Sequence, residues 1–229
     1  MLQITDLHSG YGSTNVVHGV SFTMPDRSVF AVMGHNGAGK TTLLKTILGL
    51  LPARSGTISF DGTDLTAFKT HRRVENGMAY VPQGQLSFPQ LTTLENLQLV
   101  ADGRKDGAVR IEEMLTRFPA LKTFATRKAG LLSGGQRQQL SIARALITDP
   151  KLIILDEPTE GIQPNIVAEI EELVIALAKS GLSVLLVEQH VSFALTAAAG
   201  YVVLASGYLT ASGIGGADSV ESVMAAMTI

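Results

Sequence analysis

Apolar residues fall in short runs through the first third of the chain. Their spacing predicts strands over residues 2–7, 16–24, 29–33 and 57–60. Gly12, Pro25-Asp26 and Asp61-Gly62 punctuate these runs and read as turns. Residues 78–81 give one more short strand, and the pattern then changes character. Residues 84–131 carry helical spacing with no strong strand. Thr92-Thr93-Leu94-Glu95 reads as a capping box, with Leu94, Leu97 and Ala101 on one face of the helix it opens. Strand and helix alternate again from residue 151. Residues 151–155 and 183–187 read as buried strands of the kind that a parallel sheet covers on both faces. Between them Pro164 suits a first helical turn, and Ile166, Ile170, Leu173 and Leu177 form its apolar stripe. A short strand at 202–205 and a helix over 221–227 close the pattern, without internal repeat or low-complexity segment. The whole describes a helical insertion in an α/β core.

Composition narrows this picture. The 229 residues suit one large domain or a domain with a subdomain, and 45% apolar content can build a sizeable core. A net charge of −2 gives no whole-chain electrostatic footprint for nucleic acid. The absence of cysteine excludes disulfides and cysteine metal sites and fits a reducing compartment. The first residues lack a basic start followed by an apolar stretch, so no signal peptide is expected. No apolar run approaches the roughly 18 residues of a membrane span. The expectation is a soluble cytoplasmic protein whose membrane work would need a partner's spans.

Gly34-His35-Asn36-Gly37-Ala38-Gly39-Lys40-Thr41 lies between the strand at 29–33 and a helical pattern over 42–48. A glycine, four residues, then Gly-Lys-Thr in a strand–loop–helix context is the pattern of a phosphate-binding loop. Glycines let the backbone wrap an anion closely, and the helix N-terminus presents free N–H groups and partial positive charge. In such a loop Lys40 reaches the β- and γ-phosphates, and the Thr41 hydroxyl ligates Mg²⁺. A chance glycine-rich turn is the competing reading, and the context argues against it.

Leu152-Ile153-Ile154-Leu155-Asp156-Glu157 is an apolar strand ending in two carboxylates, and ligands bind at the C-terminal ends of such strands. Asp156 suits an indirect contact to Mg²⁺, and Glu157 suits polarising an attacking water. Carboxylates capping the next turn are the plainer alternative; the phosphate loop upstream favours chemistry. Leu132-Ser133-Gly134-Gly135-Gln136 opens a helical pattern over 137–148, so Ser133 and its neighbouring N–H groups make a second anion site. A serine-capped glycine turn is the plainer reading there, and the position about 20 residues before Asp156 argues against it.

On these residues the chain resembles an ATP-binding cassette ATPase, the nucleotide-binding subunit of a transporter, over essentially its whole length. The resemblance implies one nucleotide-binding unit over 1–229. Its P-loop NTPase core would have a mixed sheet (1–83 and 132–229), with an N-terminal antiparallel β-subdomain and a helical insertion subdomain at 84–131. Gly34, Asn36, Gly37, Ala38, Gly39, Lys40, Thr41 and Thr42 would form the ATP loop, and Glu157 would be the catalytic glutamate. Gln83, in Val81-Pro82-Gln83, would touch Mg²⁺ with Thr41 and Asp156 and sense the membrane partner. Tyr11, in Gly10-Tyr11-Gly12, would stack on adenine, with modest base selectivity. Leu132-Ser133-Gly134-Gly135-Gln136 would be the signature, contacting the ATP held by a second subunit. Hydrolysis would then need a head-to-tail dimer that ATP closes and phosphate release opens.

The chain also departs from the common pattern. Gln163 stands where most members place an aspartate before the proline, here Pro164. Counting back from Gly207 puts Gln189 at the switch position usually held by histidine, with His190 one residue later. Gln189 can donate a hydrogen bond but not titrate near neutrality, and His190 can do both. Register favours Gln189. Both traits resemble a subgroup serving importers of branched-chain amino acids and urea, and the run 159–164 looks most like the urea branch. The implied partners are transmembrane permeases and a second ATPase subunit, either a related chain or a second copy. An extracytoplasmic solute-binding protein would act indirectly, nucleic acid would have no part, and the chain would lie on the inner face of the membrane. A non-transport cassette ATPase is a second reading, weakened because the paired cassettes or long coiled-coil insertions usual there are absent from this sequence. A nucleotide-gated binding module without turnover is a third, and Glu157 argues against it. His8, His18 and His71 show no ligand spacing, His35 reads as an exposed loop filler, and residues 69–73 as a solvated basic helix face.

Overall fold

The computed structural model describes residues 1–216 and 219–227. In chain order the first elements are β1 (Leu2–Tyr11), β2 (Thr14–Met24), β3 (Val29–Met33), α1 (Lys40–Ile47), β4 (Ser55–Phe60) and β5 (Thr63–Asp64). Next come α2 (Thr70–Glu75), β6 (Met78–Val81), α3 (Thr93–Ala101), α4 (Gly107–Arg117), α5 (Pro119–Thr123) and a 3₁₀ turn at Ala129–Leu131. The last are α6 (Gly134–Ile147), β7 (Leu152–Asp156), α7 (Pro164–Lys179), β8 (Ser183–Glu188), α8 (Val191–Ala197), β9 (Gly200–Ala205), β10 (Tyr208–Ile214) and α9 (Val220–Met227).

The strands form two sheets. An antiparallel sheet has the order β2-β1-β4-β5, and a six-stranded mixed sheet the order β10-β9-β3-β8-β7-β6. In the second, β9, β3, β8, β7 and β6 are parallel and only the edge strand β10 runs against its neighbour.

Side chains alternate between the two faces of a strand, which explains why the central strands are apolar throughout. Phe30 and Val32 of β3, with Leu152 and Ile154 of β7, face a core shared with α1 and the antiparallel sheet. Val29, Ala31 and Met33, with Ile153 and Leu155, face the opposite core under α6, α7, α8 and α9. Leu97, Ala101, Met114, Leu115, Phe118 and Leu121 of the helical segment join that second core. The segment therefore packs through the same apolar cluster as the central sheet. Its first helix opens on the expected capping box: Thr92 Oγ1 accepts from Glu95 N at 3.1 Å, and Glu95 Oε2 accepts from Thr92 N at 2.7 Å.

The basic run at 69–73 caps and begins α2, but it is not wholly solvated. Arg73 is only 2% exposed. Its guanidinium donates to the carbonyls of Thr46 (2.9 Å), Ile47 (2.6 Å), Phe68 (3.0 Å) and Thr66 (3.1 Å). The C-terminal carbonyls of α1 have no partner within their own helix, and Arg73 supplies donors and a favourable charge there. The expectation of a solvated face is corrected at this residue, since charge alone cannot tell a solvated arginine from one aimed at a helix end. Arg73→Met should lower unfolding free energy in urea by roughly 2 kcal/mol or more, because it strands several buried carbonyls. Arg72→Met, which removes an exposed pair with Glu75, should change it by less than about 1 kcal/mol. Equal effects would assign the stabilisation to surface charge instead.

Candidate active site

The phosphate loop follows directly from β3. Gly39 has φ +103° and is the N-cap of α1. A side chain there would be strained, and its Cβ would stand 3.3–3.4 Å from Leu204, Gly207 and Val16. The loop is fixed from behind, with Gly207 N donating to Ala38 O at 2.9 Å. Lys40 begins the helix and is buried. Its ammonium donates to Gly34 O (2.7 Å) and His35 O (3.1 Å), and lies 3.2 Å from Glu157 Oε1. His35 contributes its carbonyl while its side chain is exposed, as expected. Thr41 is exposed at the first turn of α1 and Thr42 is buried.

The carboxylates sit where the parallel register puts them. Asp156 ends β7 level with Val187 of β8. Both Asp156 and Glu157 are buried. Burial pushes the Asp156 carboxyl above its usual range, against the pull of the Tyr80 hydroxyl, which donates to it at 2.9 Å. Glu157 has φ +45°, a left-handed conformation that a non-glycine residue adopts only under constraint. The constraint is visible: Glu157 N donates to Val187 O at 2.9 Å, and its carboxylate is held by Lys40 and by Gln83 Nε2 at 3.2 Å. Gln83 also donates to Glu160. Lys40, Gln83, Asp156 and Glu157 thus converge at one place from three segments, the start of α1, the loop after β6 and the end of β7.

Gln189 and His190 follow β8 directly, one and two residues past the rung that pairs Glu188 with Met33. The segment therefore leaves the sheet beside Gly34. Tyr11 lies at the end of β1, about half exposed, with the Lys45 ammonium 5.9 Å above its ring.

Ser133 is the N-cap of the fourteen-residue helix α6, closed by a capping box with Gln136. Ser133 Oγ accepts from Gln136 N at 3.2 Å, and Gln136 Oε1 accepts from Ser133 N at 2.9 Å. Ser133 is exposed and Leu132 is buried. Gly135 is obligatory by packing, since a Cβ there would stand 2.2 Å from Ile166. Gln85 lies against Gly134 and accepts from Arg137 at 3.3 Å. Among the described residues no hydrogen bond or ion pair joins 132–136 to the phosphate loop of the same chain.

The donor set fits Mg²⁺ better than a softer or all-protein metal site. No group of three or more His, Cys, Asp or Glu converges among the described residues. One buried carboxylate, a hydroxyl and an amide, beside a phosphate loop, is the set expected for a cation that keeps waters and takes phosphate oxygens. Tyr80, Glu160, Thr159 and Glu188 were not anticipated. The signal for Glu188 was present: β8, like β7, is an apolar run ending in a carboxylate.

Comparison with known proteins agrees with this geometry. The family model described as ABC transporter matches residues 17–160. A protein of Archaeoglobus fulgidus named probable branched-chain amino acid transport ATP-binding protein LivF is 38% identical, over 93% of this chain and 92% of its own. The lipopolysaccharide export system ATP-binding protein LptB of Haemophilus influenzae is 34% identical, over 93% and 90%. The ADP conformation of MJ1267, an ATP-binding cassette of an ABC transporter, superposes with a TM-score of 0.86 at 28% identity, covering 98% of this chain and 94% of that one. With this fold and this phosphate site, the chain belongs to the ABC transporter family as one of its ATP-binding, ATP-hydrolysing subunits.

Proposed function

We propose that the chain powers an importer of a small nitrogenous solute, and that the convergence of Lys40, Gln83, Asp156 and Glu157 is its hydrolytic centre. The N–H groups of residues 34–42 cradle the triphosphate, Lys40 binds its β- and γ-phosphates, and Tyr11 stacks on adenine. Thr41, Gln83 and Asp156 would hold Mg²⁺, which when bound neutralises charge on the phosphate oxygens. Glu157 orients and polarises a water and accepts its proton as the water oxygen bonds to the γ-phosphorus and the bond to the bridging oxygen breaks, giving ADP and phosphate. The Leu132-Ser133-Gly134-Gly135-Gln136 segment of a facing subunit, a related chain or a second copy, completes the site.

Permeases would dock on the helical segment 84–131, a subdomain within the single 1–229 unit. A groove of about 600 Å³ between β6, α3 and α6 is lined by Val74, Tyr80, Leu86, Phe88 and Arg144. Leu86 and Phe88 stand about half exposed there, three and five residues from Gln83. No helix among the described residues is long and apolar enough to cross a membrane. The chain would work from the inner face, with a solute-binding protein acting through the permeases.

The LivF relative supports branched-chain amino acids as solute, and the 159–164 run supports urea. The LptB relative supports export as a second reading. Deletion of the chain in its source cell, with uptake of labelled leucine and urea, decides between them. Loss of one uptake, restored by the native chain but not by Glu157→Gln, is expected. Normal uptake of both, with failure of glycolipid export, would replace import by export.

The switch role needs a side chain able to hydrogen-bond the γ-phosphate. A shift of one residue turns a side chain to the opposite side of an extended segment, so register favours Gln189. Gln189→Ala should impair turnover at saturating Mg-ATP more than His190→Ala, with no activity step tracking histidine titration. A larger loss from His190→Ala would move the role by one residue.

A further inference from the structure

Glu188 is the one fully buried carboxylate among the described residues that the hydrolytic scheme does not use. It ends β8 immediately before Gln189, and its donors are neutral. Thr159 Oγ1 donates to one carboxylate oxygen at 2.8 Å, and Gln189 N donates to the other at 3.2 Å. The backbone of His190 and of Thr159 also favours its charged form. Thr159 is itself buried and lies two residues past Glu157.

One carboxylate therefore ties together two segments that leave adjacent strands. One is the loop 158–163 that follows Glu157 at the end of β7. The other is the turn carrying Gln189 and His190 at the end of β8. A buried carboxylate is costly unless its lone pairs are filled, and the loop and the turn supply the donors between them. Neither can shift without unpairing it. Burial pushes this carboxyl above its usual range, which adds to the cost of losing any donor.

We infer that Glu188 is a positioning residue for hydrolysis: through Thr159 it locks the turn bearing Gln189 to the loop behind Glu157, so that the two move as one unit. This rests on the switch role proposed for that turn. The loop is also where the chain departs from its family, with Gln163 before Pro164. A device that fixes its near end supplies positional control from within the subunit.

The test uses near-isosteric variants of the full chain. Thr159→Val removes the hydroxyl and keeps the shape. Glu188→Gln keeps the shape but sets an amide N–H against the surrounding donors. Each should lower the turnover of Mg-ATP by about tenfold or more, since small misplacements near reacting groups have effects of that size. Mg-ATP affinity, read by equilibrium binding to the same samples, should stay within about threefold because Lys40 and its loop are untouched. The double variant should lose little more than the worse single one, as expected for two groups acting through one contact. Thr159→Ser restores the hydroxyl and should recover most of the turnover lost in Thr159→Val.

A purely structural role predicts lower melting temperatures with full turnover per folded molecule, and that result overturns the inference. So do additive losses in the double variant. Gln189→Ala and His190→Ala, run in parallel, separate the two readings. Loss in either, with full turnover in Glu188→Gln and Thr159→Val, overturns the inference and leaves the switch assignment standing. Full turnover in both overturns the switch assignment and the inference with it.

Discussion

Glu157→Gln is expected to leave ATP binding intact, to lower turnover by about 10²–10⁴-fold, and to make an ATP-bound dimer accumulate. The geometry explains why so small a change acts on one step. The amide fills the same volume, can keep a contact with Gln83, and is held at the same positive φ, so the fold of the site should persist. What disappears is the charge that polarises the water. The phosphates that bridge the two subunits in the proposed dimer would then remain uncleaved. Size-exclusion chromatography with Mg-ATP should show the dimer, and phosphate release should show the lost turnover. Full activity would remove Glu157 from the mechanism.

Ser133→Arg is expected to abolish both dimerisation and hydrolysis while the monomer still binds ATP. In the proposed head-to-tail arrangement the substitution would place bulk and charge where the facing subunit's γ-phosphate docks. Ser133 is also the cap of α6, so replacement by a side chain that cannot cap, such as Arg or Ala, weakens that helix by about 1 kcal/mol. Ser133→Ala provides the control, since it loses the cap without adding bulk, and it should dimerise better than Ser133→Arg. Among the described residues the signature makes no hydrogen bond or ion pair to the phosphate loop of its own chain, so monomer affinity should stay within about threefold. Lost affinity in the Ser133→Arg monomer would place the signature in its own chain's site and overturn the head-to-tail arrangement.

The parts of the molecule legible in sequence are those where one local rule acts alone. The phosphate loop is bracketed by a buried strand and a helix start, and Thr92-Thr93-Leu94-Glu95 holds a complete capping box. Strands β3, β7 and β8 are apolar on both faces because each separates two cores. What escaped was set by distant partners. β10 is largely exposed, and its pairing with β9 defines it more than its own pattern does. α8 is only seven residues long and carries little periodicity. Arg73 looks like its basic neighbours until the end of α1 is brought against it. Tyr80 reads as one more residue of a short strand, and only the pairing of β6 with β7 brings its hydroxyl to Asp156. Gln189 and His190 show the remaining limit. The fold places both at the end of β8, and one residue of register decides between them.

The ion pair between Lys40 and Glu157 has a consequence for timing. One ammonium faces two claimants, because the triphosphate and the glutamate carboxylate both need it. In the proposed mechanism, as the phosphates take up that charge, Glu157 would be released from the lysine and become available to the water. Loading the substrate and arming the base are then a single exchange of counter-ions. Under the proposed mechanism no separate gating movement would be required to keep the base idle before the phosphates arrive, since the lysine that anchors the substrate would also restrain the base that activates the water.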